Sequence, residues 1–193
     1  IKMVVVVTLL CSVSGGLLAA VQSSTKDRIE NQQLTFVKGP AITSILEGAA
    51  NDPIADRFKL PVGETEKSFF VGIFDGQPTA VVLETYGKGY GGEVGVMVGI
   101  DLKNNTLLGA GVTTHAETPG MGAKAKSDPS FVAQFKGLPL KDLYQVTNDG
   151  GQVNAISGAT ITSRAVCVAA TEAVKTYNEL KPQISDQMKA FAK

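Results

Sequence analysis

An uncharged run near the start of the chain constrains its fold more than any other feature. Residues 3–21, MVVVVTLLCSVSGGLLAAV, contain no Asp, Glu, Lys, Arg or His. In a helix, nineteen residues rising about 1.5 Å each are just long enough to cross the hydrocarbon of a bilayer. We therefore predict a transmembrane anchor over residues 1–22, in which Gly15 and Gly16 allow close contact with a partner helix.

Other interpretations of this run stay open. A cleavable signal peptide also fits, because Lys2 precedes the apolar residues and small residues end them. A lipoprotein anchor at Cys11 is disfavoured, because bulky Leu10 precedes it and the apolar run continues beyond it. A retained helix could equally be a plain tether. Lys2 on one side, with Lys26 and Arg28 on the other, are too few charges to orient such a helix.

The composition of the chain excludes several classes of function. A length of 193 residues suggests one domain besides the anchor, and the formal net charge of +0 gives no reason to expect nucleic acid as a partner. One His and two Cys do not make a metal site or a disulfide framework, and Cys11 and Cys167 are interpreted as buried, inert thiols. The 21 glycines cluster from Gly87 onward, which indicates tight turns or close approach to a ligand.

Residues 23–60 are predicted to form a helical connector between the anchor and the soluble domain. The stretch STKDRIENQQL is typical of a helix that Ser24 or Thr25 could cap. The stretch GPAITSILEGAANDP indicates a second, short helix that begins at Pro40 and ends at residues 51–53.

Residues 61–193 are predicted to form an α+β domain, with a mainly antiparallel, twisted sheet flanked by helices. Apolar, β-branched segments predict strands at 68–74, 79–86, 93–101 and 106–114. The pairs Asp75–Gly76 and Asn104–Asn105 predict hairpins between them. A short helix is predicted in DPSFVAQFKGLPL, and further strands in LYQVT and QVNAI. A final helix is predicted from Thr162 to Leu180, ended by Pro182.

Four hydroxyls cluster at the start of that final helix. They belong to Ser157, Thr160, Thr162 and Ser163. The first turn of a helix has unpaired N–H groups and a partial positive charge, so it can hold a phosphate, and Arg164 adds a cation nearby. The alternative is an ordinary N-cap, although a cap needs only one hydroxyl. The residues alone support both interpretations, whereas the chain contains neither a P-loop nor a GxSxG motif.

The segment NAISGATITS, residues 154–163, resembles the signature of the FMN-binding domain family. A second block is similar to the central segment of that family: GYGGEVGVMVGID at 89–101, followed by GAGVTTHAETPGMGAKA at 109–125. Members include the G subunit of the Rnf ion-translocating oxidoreductase and the C subunit of the sodium-translocating NADH:quinone oxidoreductase. The resemblance in sequence covers residues 85–180. The single predicted anchor and the overall length extend it to the whole chain. The length is closer to that of the Rnf G subunit than to that of the quinone reductase C subunit, which tends to be longer.

The resemblance implies that Thr160 carries FMN through a phosphoester bond. It also implies that the neighbouring residues supply donors to the phosphate: Ser157, Gly158, Ala159, Thr162, Ser163 and Arg164. The HAETPGMG segment is expected to form a turn against the flavin, with contacts from Glu117, Thr118, Met121, Gly122 and Lys124. His115 is interpreted as structural, and neither a catalytic residue nor a metal ligand is predicted. Family members usually have Asp where Asn154 stands and commonly Leu where Met121 stands.

The resemblance implies an electron-transfer component of a redox-driven ion translocase, without a complete active site of its own. The chain has no dinucleotide fingerprint and no iron–sulfur cysteines, so it cannot take hydride from NADH unaided. We expect it to relay electrons in an Rnf ferredoxin:NAD complex, anchored once in the cell membrane with its domain on the extracytoplasmic side. Expected partners are the membrane and iron–sulfur subunits, and a flavin transferase for maturation. The alternatives are the C subunit of the quinone reductase, a stand-alone flavin-binding module, and a binding protein whose SGAT segment only caps a helix.

Overall fold

The fold consists of a helical stalk, a five-stranded sheet and a long closing helix. The computed structural model describes residues 2–63 and 65–191. The stalk runs without interruption from Lys2 to Ile45, as α1 (Lys2–Gln32), a π-helical segment (Gln33–Lys38) and α2 (Gly39–Ile45). Its part from Lys2 to Lys26 is apolar and long enough to cross a membrane, and this part is not buried in the protein.

The stalk differs from the sequence-based predictions in three ways. The hydroxyls of Ser24 and Thr25 donate to the carbonyl of Val21, at 3.0 and 2.7 Å, inside a continuous helix, so the predicted cap of a separate helix is wrong. The short second helix ends at Ile45, earlier than predicted. Cys11 is exposed on α1, which corrects its interpretation as a buried thiol, whereas Cys167 is buried.

The sheet is an antiparallel meander whose strands lie in sequence order. They are β1 (Arg57–Val62), β2 (Thr65–Phe74), β3 (Gln77–Lys88), β4 (Glu93–Asp101) and β5 (Thr106–Val112). The four predicted strands are confirmed as β2 to β5. The Asp75–Gly76 turn joins β2 to β3 with positive φ at both residues, as a tight hairpin requires. Strand β1 was not predicted, and it occupies the end of the segment assigned to the helical connector. The division of the chain at residues 22 and 60 stays a prediction.

Helices cover both faces of this sheet. Val81 and Val82, neighbours on β3, are both fully buried because they point to opposite faces. One face packs against the long helix α5 (Thr160–Lys189), and the other packs against Leu34, Ile42 and Leu46 of the stalk and the turn that follows it. Lys38 of the stalk also makes an ion pair with Glu84 of β3 at 2.7 Å. Strands buried on both sides have continuous apolar runs, which is why the sequence indicates them clearly.

Helix α5 packs very closely against β3. This contact places the first turn of α5 beside the turn that follows β3. A side chain at Gly87 would place its Cβ well inside contact distance of the carbonyl oxygen of Ala165. One turn along, the hydroxyl of Thr85 donates to the carbonyl of Ala169 at 2.7 Å. These contacts bring the first turn of α5 next to the glycine-rich turn, residues 87–92.

Two predictions about the C-terminal half are wrong. Helix α5 continues through Pro182 to Lys189. Because proline has no N–H, the carbonyl of Asn178 has no helical hydrogen-bond partner at Pro182. Both residues are exposed, so water can hydrogen-bond to this carbonyl instead. The predicted strands LYQVT and QVNAI form only a single bridge, between Val146 and Val153. The residues between Val146 and Val153 form a 3₁₀ turn (Thr147–Asp149) followed by Gly150 and Gly151. The bridge is parallel, and parallel strands need a much longer connection than this to pair along their length.

The remaining helices are short. Helix α3 spans Lys124–Ser127, and α4 spans Pro129–Ala133. Helix α4 confirms the short helix predicted in DPSFVAQFKGLPL, and the side chain of Asp128 caps it by accepting from the N–H of Ser130 at 2.9 Å.

Candidate functional site

A cleft of about 540 Å³ opens at the N-terminal end of α5. Three segments line it: the turn that enters α5, the loop that follows β5, and the glycine-rich turn after β3. The lining residues are Gly158, Ala159, Thr160, Ile161, Thr162, Glu117, Thr118, Met121, Gly122 and Tyr90. The volume lies within the range of small-molecule sites, about 300 to 1,000 Å³.

The start of α5 presents free backbone donors to this cleft. The carbonyl of Ala159 accepts the first helical bond, from the N–H of Ser163 at 3.0 Å. No side chain caps the helix, and the N–H groups of residues 160–162 have no acceptor among the described residues. The interpretation that the hydroxyl cluster merely caps α5 is therefore wrong. Three unpaired N–H groups at the positive end of a 30-residue helix favour an anion instead.

The four hydroxyls of the cluster have different surroundings. Ser163 is buried; its hydroxyl donates to the carbonyl of Ala159 at 3.0 Å and accepts from the N–H of Ile156 at 2.9 Å. Thr162 is buried and donates to the carboxylate of Glu117. Ser157 is exposed outside the cleft. Thr160 is half-buried and lines the cleft, and its hydroxyl makes no hydrogen bond to any described residue.

The loop after β5 contains the predicted rigid turn. The carbonyl of Thr118 accepts from the N–H of Met121 at 3.2 Å, with Pro119 and a left-handed Gly120 between them. Met121 is half exposed on the rim of the cleft. The Nδ1 atom of His115 accepts from the N–H of Glu117 at 3.3 Å, which fits the structural role predicted for this residue.

The three lining segments meet at the carboxylate of Glu117, which is only 6% exposed. Its Oε1 accepts from the N–H of Gly91 at 2.8 Å, and its Oε2 accepts from the hydroxyl of Thr162. A Cβ at Gly89 would lie 2.5 Å from Oε1, and one at Gly122 would lie 2.7 Å from Oε2. The glycines therefore leave the space that the carboxylate occupies.

Two cationic residues that were predicted to contact the cofactor, Arg164 and Lys124, lie outside the cleft. The Nε and Nη2 atoms of Arg164 each donate to the carboxylate of Asp149 at 2.7 Å, and this pairing lowers the pKa of that carboxyl. Lys124 is exposed at the start of α3 and does not line the cleft. Asn154 is also outside it: its backbone N–H donates to the side-chain oxygen of Gln134 at 2.8 Å.

Two lining residues were not predicted from the sequence. Tyr90 is 77% exposed in the glycine-rich turn, and Ile161 is 46% exposed in the first turn of α5. Each stands inside a segment that carried the family resemblance, and an aromatic residue flanked by Gly89 and Gly91 was the available signal for Tyr90. Among residues 2–63 and 65–191, no group of His, Cys, Asp and Glu is arranged to hold a metal ion.

Comparison with known proteins gives a consistent result. Residues 89–175 match the family model of the FMN-binding domain, and this range includes all three segments of the cleft. The chain is 35% identical over 187 residues to the G subunit of the ion-translocating oxidoreductase complex of Vibrio cholerae, covering 91% of this chain and 88% of the relative. It is 34% identical over 175 residues to the corresponding G subunit of Methanosarcina acetivorans, covering 90% and 92%.

A solved structure shares the fold. It is the C subunit of the Na(+)-translocating NADH-quinone reductase from Parabacteroides distasonis, with a TM-score of 0.52 and 32% identity. The superposition covers 60% of this chain and 63% of that one.

Proposed function

The chain belongs to the family of G subunits of the ion-translocating oxidoreductase complex, and on this basis we propose that it carries FMN and relays electrons within such a complex. When bound, FMN supplies the redox chemistry, since it accepts and returns electrons. The described residues fit this cofactor: unpaired backbone donors suit its phosphate, and the adjoining cleft has apolar and polar walls for its ring.

We infer that Thr160 is the point of covalent attachment. The observation that carries this inference is the free hydroxyl of Thr160, which lies in the lining of the cleft beside the unpaired N–H groups of residues 160–162. In forming the phosphoester, its oxygen would bond to the phosphorus of an activated flavin nucleotide and give up its proton as the leaving group departs. No described side chain is hydrogen-bonded to this hydroxyl to take the proton, which supports a separate flavin transferase as the catalyst.

An intact-mass measurement tests the attachment site. We expect the wild-type chain, made together with a flavin transferase, to be heavier by one FMN group and to keep its fluorescence in a denaturing gel. Thr160→Ala should lose both signals, because it lacks the oxygen that forms the ester. Ser185→Ala is the matched control and should keep both signals, because Ser185 is an exposed hydroxyl near the far end of α5, outside the SGAT segment and the cleft. An adduct that persists in Thr160→Ala, or that is lost in Ser185→Ala, would contradict the assignment.

We propose further that residues 2–26 anchor the domain in the cell membrane, with the cleft on the extracytoplasmic side. The apolar part of the helix is unburied, which a water-soluble protein would rarely tolerate. Protease added to intact spheroplasts should therefore release the domain. A domain that survives this treatment, and is cut only after the spheroplasts are lysed, would be cytoplasmic and would contradict the proposed orientation.

Co-purification distinguishes the remaining alternatives. A relay protein of this kind should be isolated with other membrane and iron–sulfur subunits, through which electrons reach and leave the cleft. A stand-alone flavin module would be isolated by itself. The similarity to the G subunit of Vibrio cholerae extends over 91% of this chain, and this coverage favours that complex over the quinone reductase.

A further inference from the structure

We propose that the buried carboxylate of Glu117 lowers the midpoint potential of the flavin held in the cleft. This inference rests on the proposed function, because it requires FMN to be bound there. Each electron that a redox partner delivers adds one negative charge to the flavin unless a proton accompanies it. A fixed negative charge in the wall of the same cleft opposes that addition.

The surroundings of Glu117 leave its charge largely uncompensated. Each of its two oxygens lies within hydrogen-bond distance of a protein donor. Both donors, the N–H of Gly91 and the hydroxyl of Thr162, are neutral. Among the described residues no Lys, Arg or His forms an ion pair with Glu117, although four other ion pairs are present. A buried charge without a cationic partner acts on its neighbours more strongly than one in water.

The start of α5 supplies a partial positive charge next to this carboxylate. Thr162 is the third residue of α5, so its bond places Glu117 against the N-terminal end of the helix dipole. A flavin phosphate bound at residues 160–162 would compete for the same dipole, and this would leave Glu117 less well compensated in the loaded protein.

The structural and electrostatic roles of Glu117 can be separated by one substitution. In Glu117→Gln the amide oxygen can still accept from Gly91, and the amide nitrogen can donate to Thr162, because a hydroxyl can act as donor or acceptor. The shape is unchanged, so the space left by Gly89 and Gly122 still accommodates it. The substitution therefore keeps the contacts and removes the charge.

A redox titration of the full-length, flavin-loaded protein in detergent tests the proposal. We expect Glu117→Gln to shift the midpoint potential of the flavin in the positive direction. The equilibrium constant for electron exchange between the flavin and a reference redox dye should change about tenfold. The control is Glu172→Gln, which removes an exposed charge further along α5 and should leave the potential unchanged. An unchanged potential in Glu117→Gln, with flavin bound, would overturn the inference.

A second variant provides a test of opposite sign. Thr162→Val removes one donor from the carboxylate but keeps its charge, so the potential should move in the negative direction. If Glu117 merely holds the loop together, Glu117→Gln would leave the potential unchanged, because it keeps both contacts. A positive shift in Thr162→Val would also overturn the inference. A wild-type chain that binds no flavin would refute the proposed function itself, whereas a flavin-loaded chain with unchanged potentials would refute only the role of Glu117.

Discussion

At the scale of single residues, Gly87 determines how near α5 comes to the sheet. Gly87→Ala would drive a Cβ into the backbone of Ala165, which cannot move unless the helix does. We expect the free energy of unfolding to fall by about 2 to 3 kcal/mol, the usual cost of overpacking. Urea unfolding in detergent measures this. Gly109→Ala is the control, because the nearest atom to its Cβ lies at an ordinary 3.8 Å, and an equal loss in both variants would contradict the explanation.

The two cysteines are expected to differ in reactivity. Burial, followed by the nearby negative charge of Asp149, raises the pKa of the Cys167 thiol to about 12. Since only the thiolate reacts, a Cys11→Ser variant should resist a thiol reagent at about pH 8 while folded. The same variant should react with one equivalent once it is unfolded in urea. Rapid labelling of the folded protein would show that Cys167 is accessible.

At the scale of secondary-structure elements, α5 contains a residue that weakens it. Pro182 lacks the N–H that would bond to the carbonyl of Asn178. Pro182→Ala should therefore raise the free energy of unfolding by about 1 to 3 kcal/mol, because alanine restores that bond and favours the helix. Thermal unfolding measures the change, with the neighbouring exposed substitution Gln183→Ala as control. A lower stability in Pro182→Ala would show that the proline fits a bend which the fold requires.

Elements marked by local signals were predictable from the sequence, and elements set by distant contacts were not. The Asp75–Gly76 hairpin follows from backbone preferences of the two residues alone. Strand β1 contains Pro61, which argues against a strand unless it lies at an edge, and only the sheet order shows that it does. Likewise, Pro182 predicts a helix end, but packing of Ile184 and Met188 in the core keeps α5 helical beyond it.

At the scale of the whole molecule, the two ends of the stalk contribute differently to the stability of the domain. Residues 2–26 make no buried contacts, whereas Leu34, Ile42 and Leu46 cover one face of the sheet. Removing residues 1–26 should give a soluble protein that unfolds at nearly the same temperature, because the apolar part of α1 has no buried contacts. Removing residues 1–46 should cause aggregation, because it strips Leu34, Ile42 and Leu46 from one sheet face, at about 1.5 to 3 kcal/mol each. Sedimentation and thermal unfolding distinguish the two. Equal solubility of both would contradict this division.

The candidate site was predictable in its parts but not in its assembly. The SGAT and HAETPGMG segments name Thr160 and Glu117 because their sequences are distinctive. Nothing in either segment indicates that Glu117 also binds the turn containing Tyr90, because that contact depends on the close approach of β3 and α5. Arg164 also has a contact that the sequence did not indicate. Its place one turn into the helix predicts a phosphate contact, and the structure adds an ion pair with Asp149, fifteen residues earlier in the chain.

The stalk is a rigid support for the domain and not a flexible tether. Its helix is unbroken from Lys2 to Ile45, and the ion pair between Lys38 and Glu84 fixes the end of the stalk to the sheet. A domain on a flexible tether can swing between a donor and an acceptor like a shuttle. A domain on a rigid helix keeps a constant distance and orientation relative to its anchor. If the cleft relays electrons as proposed, its redox partners would have to approach a domain that does not move towards them, and the other subunits would have to be arranged to allow this.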